Sequence, residues 1–185
     1  INDQFTKISV DNKHLFDEIK HYLQKFVPEK ESIVSLHSAK KSLFDLYNVD
    51  KQIKSSFGKS VSMKKGAYLV IEHTEAMHVI DVNSGNRTNK HDTQEENALE
   101  VNLQAAAEVA RQLRLRDMGG IIVVDFIDMY LAENRKKLTE TLREHMKDDR
   151  AKHKILPPSR FGLIEITRQR VRPQITIKTR EVCLS

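Results

Sequence analysis

The stretch Gly119-Gly120-Ile121-Ile122-Val123-Val124-Asp125-Phe126 decides the fold. The two glycines end whatever helix precedes them. The run from Ile121 to Phe126 is apolar and rich in β-branched residues, the pattern of a central strand buried on both faces. Such a strand needs neighbours on both edges and helices to cover it. Asp125 ends the run, and a carboxylate there is expensive unless it is paired or holds a metal.

Upstream, Leu99, Leu103, Ala106, Ala110 and Leu113 recur at helical spacing. Thr93 and Glu96, three apart, form a capping-box signature at the start of this segment, which runs to about Arg116. A polar stretch, Ser84 to Thr93, lies before it. Earlier still, the strand-like runs Ala67 to Glu72 and Ala76 to Val82 are joined by His73-Thr74-Glu75, short enough for a hairpin. Downstream, Ala132 to about Ala151 predicts a highly charged helix, Pro157-Pro158 breaks the chain, and Gly162 to Thr167 predicts another strand. The order β-β-α-β-α-β predicts an α/β fold, a mixed sheet with helices packed against it. The first 60 or so residues read as a small β-α-β-α element. Phe5 to Val10 is a strand. His14 to Phe26 is a helix with Leu15, Phe16, Ile19, Tyr22, Leu23 and Phe26 on one stripe, stopped by Pro28. Ser32 to Leu36 is a short strand, and Ser42 to Phe57 a weaker helix closed by Gly58.

The 185 residues allow one ordinary domain or two small ones. No apolar run is long enough to span a membrane, and the start, Ile1-Asn2-Asp3-Gln4, is neither a signal peptide nor an initiator methionine. The chain therefore reads as a piece of a longer protein. Cys183 is the only cysteine, which excludes a disulfide framework and suits a reducing cytoplasm. From Leu131 to Arg180 there are 14 Lys or Arg against 6 Asp or Glu, while the whole chain carries +5, so the rest is net negative. A basic end beside an acidic one suits a polyanion partner, with carboxylates available for a metal. A solvated helix face with ordinary strand-edge lysines gives the same count.

Two carboxylates sit where such sheets place their sites. Asp81 ends the run His78-Val79-Ile80, Asp125 ends Ile122-Val123-Val124, and ligands gather beyond the carboxyl ends of strands. Strand alternation puts Asn83 on the face of Asp81. Asp128 follows Asp125 closely enough to bend back to it. An anionic phosphodiester resists attack, and Mg²⁺, which takes hard oxygen ligands and few protein carboxylates, supplies the missing charge. An aspartate at a strand end also serves as a cap or turn residue, and Asp128 stands near enough to Ala132 to cap its helix. The eight histidines form no HExxH pair or Cys/His zinc set, and strand alternation does not force His73 and His78 onto one face. No GxGxxG, Walker A or GxSxG motif occurs, and Cys183 lies in an expected tail.

Four separated motifs, in order, resemble the ribonuclease E/G family. Ile80-Asp81-Val82-Asn83-Ser84-Gly85 is similar to its D-[IV]-N-S signature. The run from Asn102 to Gly120 is similar to its helix motif, and Ile121 to Met129 to the strand that follows. Asp149-Arg150-Ala151-Lys152 and Ser159 to Arg170 fit as well. The resemblance is strongest from Gly66 to Pro173 and continues more faintly upstream.

The resemblance implies a deoxyribonuclease-I-like catalytic subdomain over 61–180. A portion of a ribonuclease-H-like subdomain, without a nuclease centre of its own, precedes it over 1–60, and 181–185 begin a zinc-link region. It implies Mg²⁺ on Asp81 and Asp125 and Asn83 supporting the scissile phosphate; Asp128, close behind Asp125 in the chain, is assigned a supporting role behind them. It further implies endonucleolytic cleavage of A/U-rich single-stranded RNA to a 5′-phosphate and a 3′-hydroxyl, in RNA processing and decay. Arg87, Lys152, Arg168 and Arg170 are the expected RNA contacts. Lys152 stands where the family often has an arginine, and lysine lacks arginine's planar fork. Gly85-Asn86-Arg87 carries one residue more than the family pattern before the arginine. The family joins its protomers through Zn²⁺ held by a C-P-x-C pair from each of two chains. Cys183 matches the first of these cysteines, and one thiol per chain cannot complete a four-cysteine site, so a monomer without zinc is expected. The alternatives to a nuclease are a non-catalytic RNA-binding fragment that keeps the fold, or a metal-dependent phosphodiesterase acting on DNA.

Overall fold

Residues 5–85 and 93–170 are described in the computed structural model, and the chain divides between Ile53 and Lys54 into two units. In the first unit β1 (Ile8–Val10) and β2 (Val34–Leu36) pair in parallel, connected through α1 (Lys13–Phe26) and a 3-10 turn at Pro28–Ile33. Asn12 starts α1 by accepting the Leu15 N–H at 3.0 Å. Of the apolar stripe expected on α1, Leu23 is buried while Leu15, Tyr22 and Phe26 are exposed. The single helix expected over Ser42 to Phe57 is two helices, α2 (Leu43–Leu46) and α3 (Val49–Phe57). The break is at Asn48, whose φ of +53° is a left-handed conformation that asparagine tolerates better than most residues. The division between the units falls within α3.

The second unit is built on six strands: β3 (Ser60–Ser62), β4 (Tyr68–His73), β5 (Met77–Asn83), β6 (Gly120–Asp125), β7 (His153–Ile155) and β8 (Ile164–Arg168). Their order in the sheet is β3-β4-β5-β6-β8-β7. Only β5 and β6 are parallel, and the connection between them carries α4 (Gln94–Leu115); the other neighbours are antiparallel. A parallel pair cannot be joined by a tight turn, so the long helix is the crossover that this pairing demands. The capping box is formed as predicted: Thr93 Oγ1 accepts the Glu96 N–H at 3.2 Å, and Glu96 accepts the Thr93 N–H at 2.8 Å. The strands β3 and β7 were not anticipated. Three residues each are too few to show an alternating pattern. The charged helix α5 (Ala132–Met146) ends five residues before the expected Ala151.

Leu69, Ile71, Ile80, Val82, Ile122, Val124, Ile164 and Ile166 are buried and share a core with Val101, Ala105, Val109 and Leu113 of α4 and with Leu138, Leu142 and Met146 of α5. The residues between them in each strand face the other way. The expectation that Ile121 to Phe126 is buried on both faces is therefore corrected: Ile121 is 46% exposed, Val123 half-buried and Asp125 exposed. The helices of this unit cover one side of the sheet, and the side carrying Asp125 is the other. No helix among the described residues is long and apolar enough to cross a membrane.

Candidate active site

Asp81 and Asp125 are register partners at the carboxyl ends of β5 and β6. In-register residues of adjacent strands point to the same face and lie about 4.8 Å apart across the pair, so both carboxylates stand side by side on the uncovered face. Asn83, two residues on, shares that face and donates from Nδ2 to Asp81 Oδ2 at 2.7 Å. The chain then turns at Gly85, whose φ is +65°. A Cβ there would stand 2.3 Å from the Gly66 carbonyl oxygen, so only glycine lets the strand leave the site past the start of β4.

The electrostatics of the pair are those of like charges brought together. The Asp125 carboxyl is pushed above the ordinary carboxylate range, first because part of its water is removed, then because Asp81 and Asp128 repel its charge. No group of three or more His, Cys, Asp or Glu side chains placed to hold a metal occurs among the described residues. The donor set is thus two carboxylates with an amide beside them. It is all hard oxygen and low in ligand count, which fits Mg²⁺, an ion that keeps several of its waters, and does not fit Zn²⁺.

Asp128 does not cap α5. The residue at the cap is Leu131, which has no capping side chain. Glu95 at the start of α4 instead ties down the residues that lead into α5. Its carboxylate accepts the N–H groups of Tyr130 at 2.9 Å and Leu131 at 3.1 Å, and Nδ2 of Asn134 at 2.7 Å. The Tyr130 N–H, foremost, holds this carboxyl below its usual range. Asn102, fully buried in α4, brackets Ile127: its Nδ2 donates to the Ile127 carbonyl at 2.8 Å and its Oδ1 accepts the Ile127 N–H at 2.9 Å. Two residues of the crossover helix therefore fix the segment between Asp125 and α5, which carries Asp128. No motif in the sequence marks either for this role. The signal for Asn102 is there, however: it stands four residues from Ala98 and from Ala106, inside the buried stripe, where an amide must find partners.

The expected RNA contacts do not gather at the carboxylates. Arg168 is corrected outright. It continues the Ile164, Ile166 alternation on the covered face of β8, and its side chain is 4% exposed. Its guanidinium donates to Asp149 Oδ2 at 2.7 Å, to Asp117 Oδ1 at 2.9 Å and to the Met118 carbonyl at 2.8 Å. With a fourth bond from Nη2 to Asp149 Oδ1 at 3.0 Å, it is a buried structural cation, closed off from a phosphate in solvent. Lys152 and Arg170 are exposed, but they lie at the other end of the sheet. The Lys152 carbonyl accepts from Gln169, and Arg170 packs on Gly119. At about 3.3 Å per residue, the length of β6 puts roughly 16 Å between that end and Asp125. Arg87 and Cys183 lie outside the described residues. His73 and His78, for which no common face was expected, are register partners across the β4–β5 turn, and their Nδ1 atoms are in contact.

Comparison with known proteins gives one consistent result. The sequence profile of the ribonuclease E/G family matches residues 1–171. The chain is 44% identical over 183 residues to a chloroplastic ribonuclease E/G-like protein of Arabidopsis thaliana, covering 98% of this chain and 18% of that one. It is 39% identical over 178 residues to ribonuclease E of Escherichia coli (strain K12), covering 96% of this chain and 17% of the other. With ribonuclease G of Haemophilus influenzae the identity is 37% over 175 residues, 95% of this chain and 35% of the relative. The chain thus spans about a sixth to a third of the length of these relatives.

Proposed function

The chain belongs to the ribonuclease E/G family, and from that premise we propose that it carries the catalytic centre of a Mg²⁺-dependent endoribonuclease. The reading is that it cuts single-stranded, A/U-rich RNA, leaving a 5′-phosphate and a 3′-hydroxyl, in RNA processing and decay. Residues 61–180 are read as a deoxyribonuclease-I-like catalytic subdomain, and residues 1–60 as part of a ribonuclease-H-like one. The cytoplasmic location expected from the sequence is kept as part of this reading, although one relative is named chloroplastic.

The observation that carries the proposal is the in-register pairing of Asp81 with Asp125 on the uncovered face. Two carboxylates held together there are a liability in a merely structural sheet, because lost water and the charge of Asp81 raise the cost of ionising Asp125. Asp81 and Asp125 are the residues that would hold Mg²⁺. When bound, the ion supplies positive charge to the phosphate oxygens and acidifies water. Asn83 fixes the rotation of the Asp81 carboxylate through the 2.7 Å hydrogen bond, so that this ligand is set before substrate arrives. Its position beside Asp81 also suits it to support a phosphate oxygen. Asp128 adds negative charge close to Asp125, favouring a cation over a proton-free, metal-free pair. Asn102 and Glu95 hold the Asp128 segment in place.

The test is cleavage of a fluorescent A/U-rich RNA with Mg²⁺, with EDTA, and by Asp81→Asn. Cutting only by the wild-type chain with Mg²⁺ supports the proposal. Cutting that survives both EDTA and Asp81→Asn ends the Mg²⁺ mechanism. RNA bound but never cut points to the non-catalytic reading, and equal cutting of DNA of the same sequence to a general phosphodiesterase.

A further inference from the structure

Beside the carboxylate end of the sheet lies a cleft of about 920 Å³ between α5 and the turn that leads into β8. It opens at Asp128, the residue whose charge Asp125 feels. We propose that this cleft is a binding track for single-stranded RNA leaving the carboxylate pair. Lys136, Arg143 and Arg160 would carry its phosphates, and Phe161 would serve as the platform on which a base stacks.

Charge is the first support. Lys136 and Arg143 lie two turns apart on one face of α5, and Arg160 faces them from the opposite wall. Glu140 sits among them and takes Lys136 at 3.9 Å, but Arg143 and Arg160 have no acidic partner among the described residues. Arg135, also in the lining, donates to the carbonyls of Met129 and Tyr130 and has Glu95 within reach of its charge, so the free positive charge of the cleft rests on Arg143 and Arg160. Cations without acidic partners along a cleft are what an anionic backbone requires.

The second support is Phe161, whose exposure of 85% is the highest among the described large apolar residues. It is not on a loose loop. The Ser159 N–H donates to the Leu163 carbonyl at 2.8 Å, the Gly162 N–H to the Ser159 carbonyl at 3.0 Å, and the Phe161 N–H to Ser159 Oγ at 3.2 Å. An ordered turn thus holds a phenyl ring in water beside unpaired guanidinium groups. Exposure of a large ring is unfavourable unless something covers it, and a single-stranded nucleic acid offers flat bases and phosphates together. An acidic peptide would use the cations but has no such need of the ring.

Third, the track adjoins the segment that follows Asp125. Gly162 approaches Asp128, with a Cβ there only 3.6 Å from Asp128 Oδ1, so the turn carrying Phe161 and the segment following Asp125 are in contact. RNA crossing the carboxylates and turning over Asp128 would enter the cleft directly.

The proposal rests on the nuclease reading for its geometry, so its test is binding rather than cleavage. Anisotropy of a labelled 12-nucleotide A/U-rich RNA is measured in EDTA against salt, with the wild-type chain, Phe161→Ala, Phe161→Trp and the double variant Arg143→Ala/Arg160→Ala. Phe161→Ala should weaken binding about tenfold or more, and Phe161→Trp should restore it. The double variant should lower the slope of log affinity against log salt by about 1.4, two contacts at about 0.7 each for a single strand. All these side chains are exposed, and unchanged thermal melts confirm that the variants fold. Affinity and salt slope unchanged in both Phe161→Ala and the arginine pair would overturn the track. So would displacement of RNA by polyglutamate together with indifference to Phe161, which would mark an acidic-peptide site. If the track variants weaken binding while Mg²⁺ never supports cleavage, the nuclease reading has failed and the track stands. If cleavage depends on Asp81 while the variants bind normally, the reverse holds.

Discussion

Asp125 is a residue that the metal-free fold would be better without. Its carboxyl is pushed up, so the folded chain binds its proton more tightly than the unfolded chain does. For such a group the stability contributed is fully present below the unfolded pKa and is lost as pH rises through the folded one. At neutral pH, with no cation, the ionised form is a net cost. Asp125→Asn should therefore raise the melting temperature in EDTA at pH 7 by about 1–3 °C and abolish cleavage. Addition of Mg²⁺ should stabilise the wild type and leave the variant unmoved. A melting temperature lower than wild type in EDTA would show that Asp125 has a structural partner instead. Arg168 behaves in the opposite way. Burial alone would raise the carboxyl of Asp149, whose side chain is 2% exposed, but the Arg168 hydrogen bond, the Ala151 N–H and the charge of Arg168 outweigh it. Arg168→Met leaves Asp149 and Asp117 buried without their cation and should cost about 3–5 kcal/mol in urea unfolding. RNA affinity measured well below the lowered melting point should not change, whereas a phosphate contact would lose affinity with little loss of stability. The spacing Ile164, Ile166, Arg168 already places this arginine on the apolar face. The sequence does not disclose its partners, which stand 51 and 19 residues away.

At the scale of elements, α4 has two tasks. It is the crossover that lets β5 and β6 run parallel and so aligns Asp81 with Asp125, and it clamps the segment that leads from Asp125 into α5. The first task is legible in the sequence. The stripe, the capping box and the closing glycines fix the helix, and the strands on either side carry the two aspartates toward their carboxyl ends. The second is only half legible, because an amide in a buried stripe announces that it needs partners without saying which loop supplies them. Asn102→Leu keeps the volume and removes both bonds to Ile127. It should cost about 1–3 kcal/mol of stability, the ordinary range for orphaned polar groups. It should also lower kcat about tenfold while leaving KM for RNA unchanged, since it acts on the position of Asp128 and Asp125 and touches no substrate. A raised KM with kcat intact would place Asn102 in a substrate-binding role instead. The apolar run of β6 misled in one respect. Both of its faces are aliphatic, yet α4 and α5 cover only one, because alternation states that a face is apolar and not what lies against it.

The whole molecule is uneven in how well its parts are packed, and function follows that unevenness. The second unit places buried residues from strands and both long helices in one cluster, while in the first only Val10 and Leu23 are buried apolar residues among those described. Burial of apolar surface is the main favourable term in folding, so local opening should be far easier in the first unit. Amide hydrogen exchange followed by mass spectrometry should find β5, β6 and α4 the slowest segments. Peptides covering α1, β1 and β2 should exchange at least about 100-fold faster, a difference of roughly 2.7 kcal/mol in opening free energy. Equal protection in both units would mean that the exposed apolar side of α1 is covered in solution by something other than this fold. The expected gradient has a chemical purpose. Two like-charged carboxylates stay in register only on a support that does not yield to their repulsion, and Asp81 and Asp125 lie toward the carboxyl ends of two strands whose Ile80, Val82, Ile122 and Val124 are buried in one core with α4. Phe161 and its neighbouring cations, which on the proposed reading meet a flexible strand of RNA, sit on a turn and a helix surface at the margin of that support. A firm centre with an exposed ring and cations at its margin is the arrangement in which a site set in advance of its substrate can hold a single strand by its phosphates and base faces.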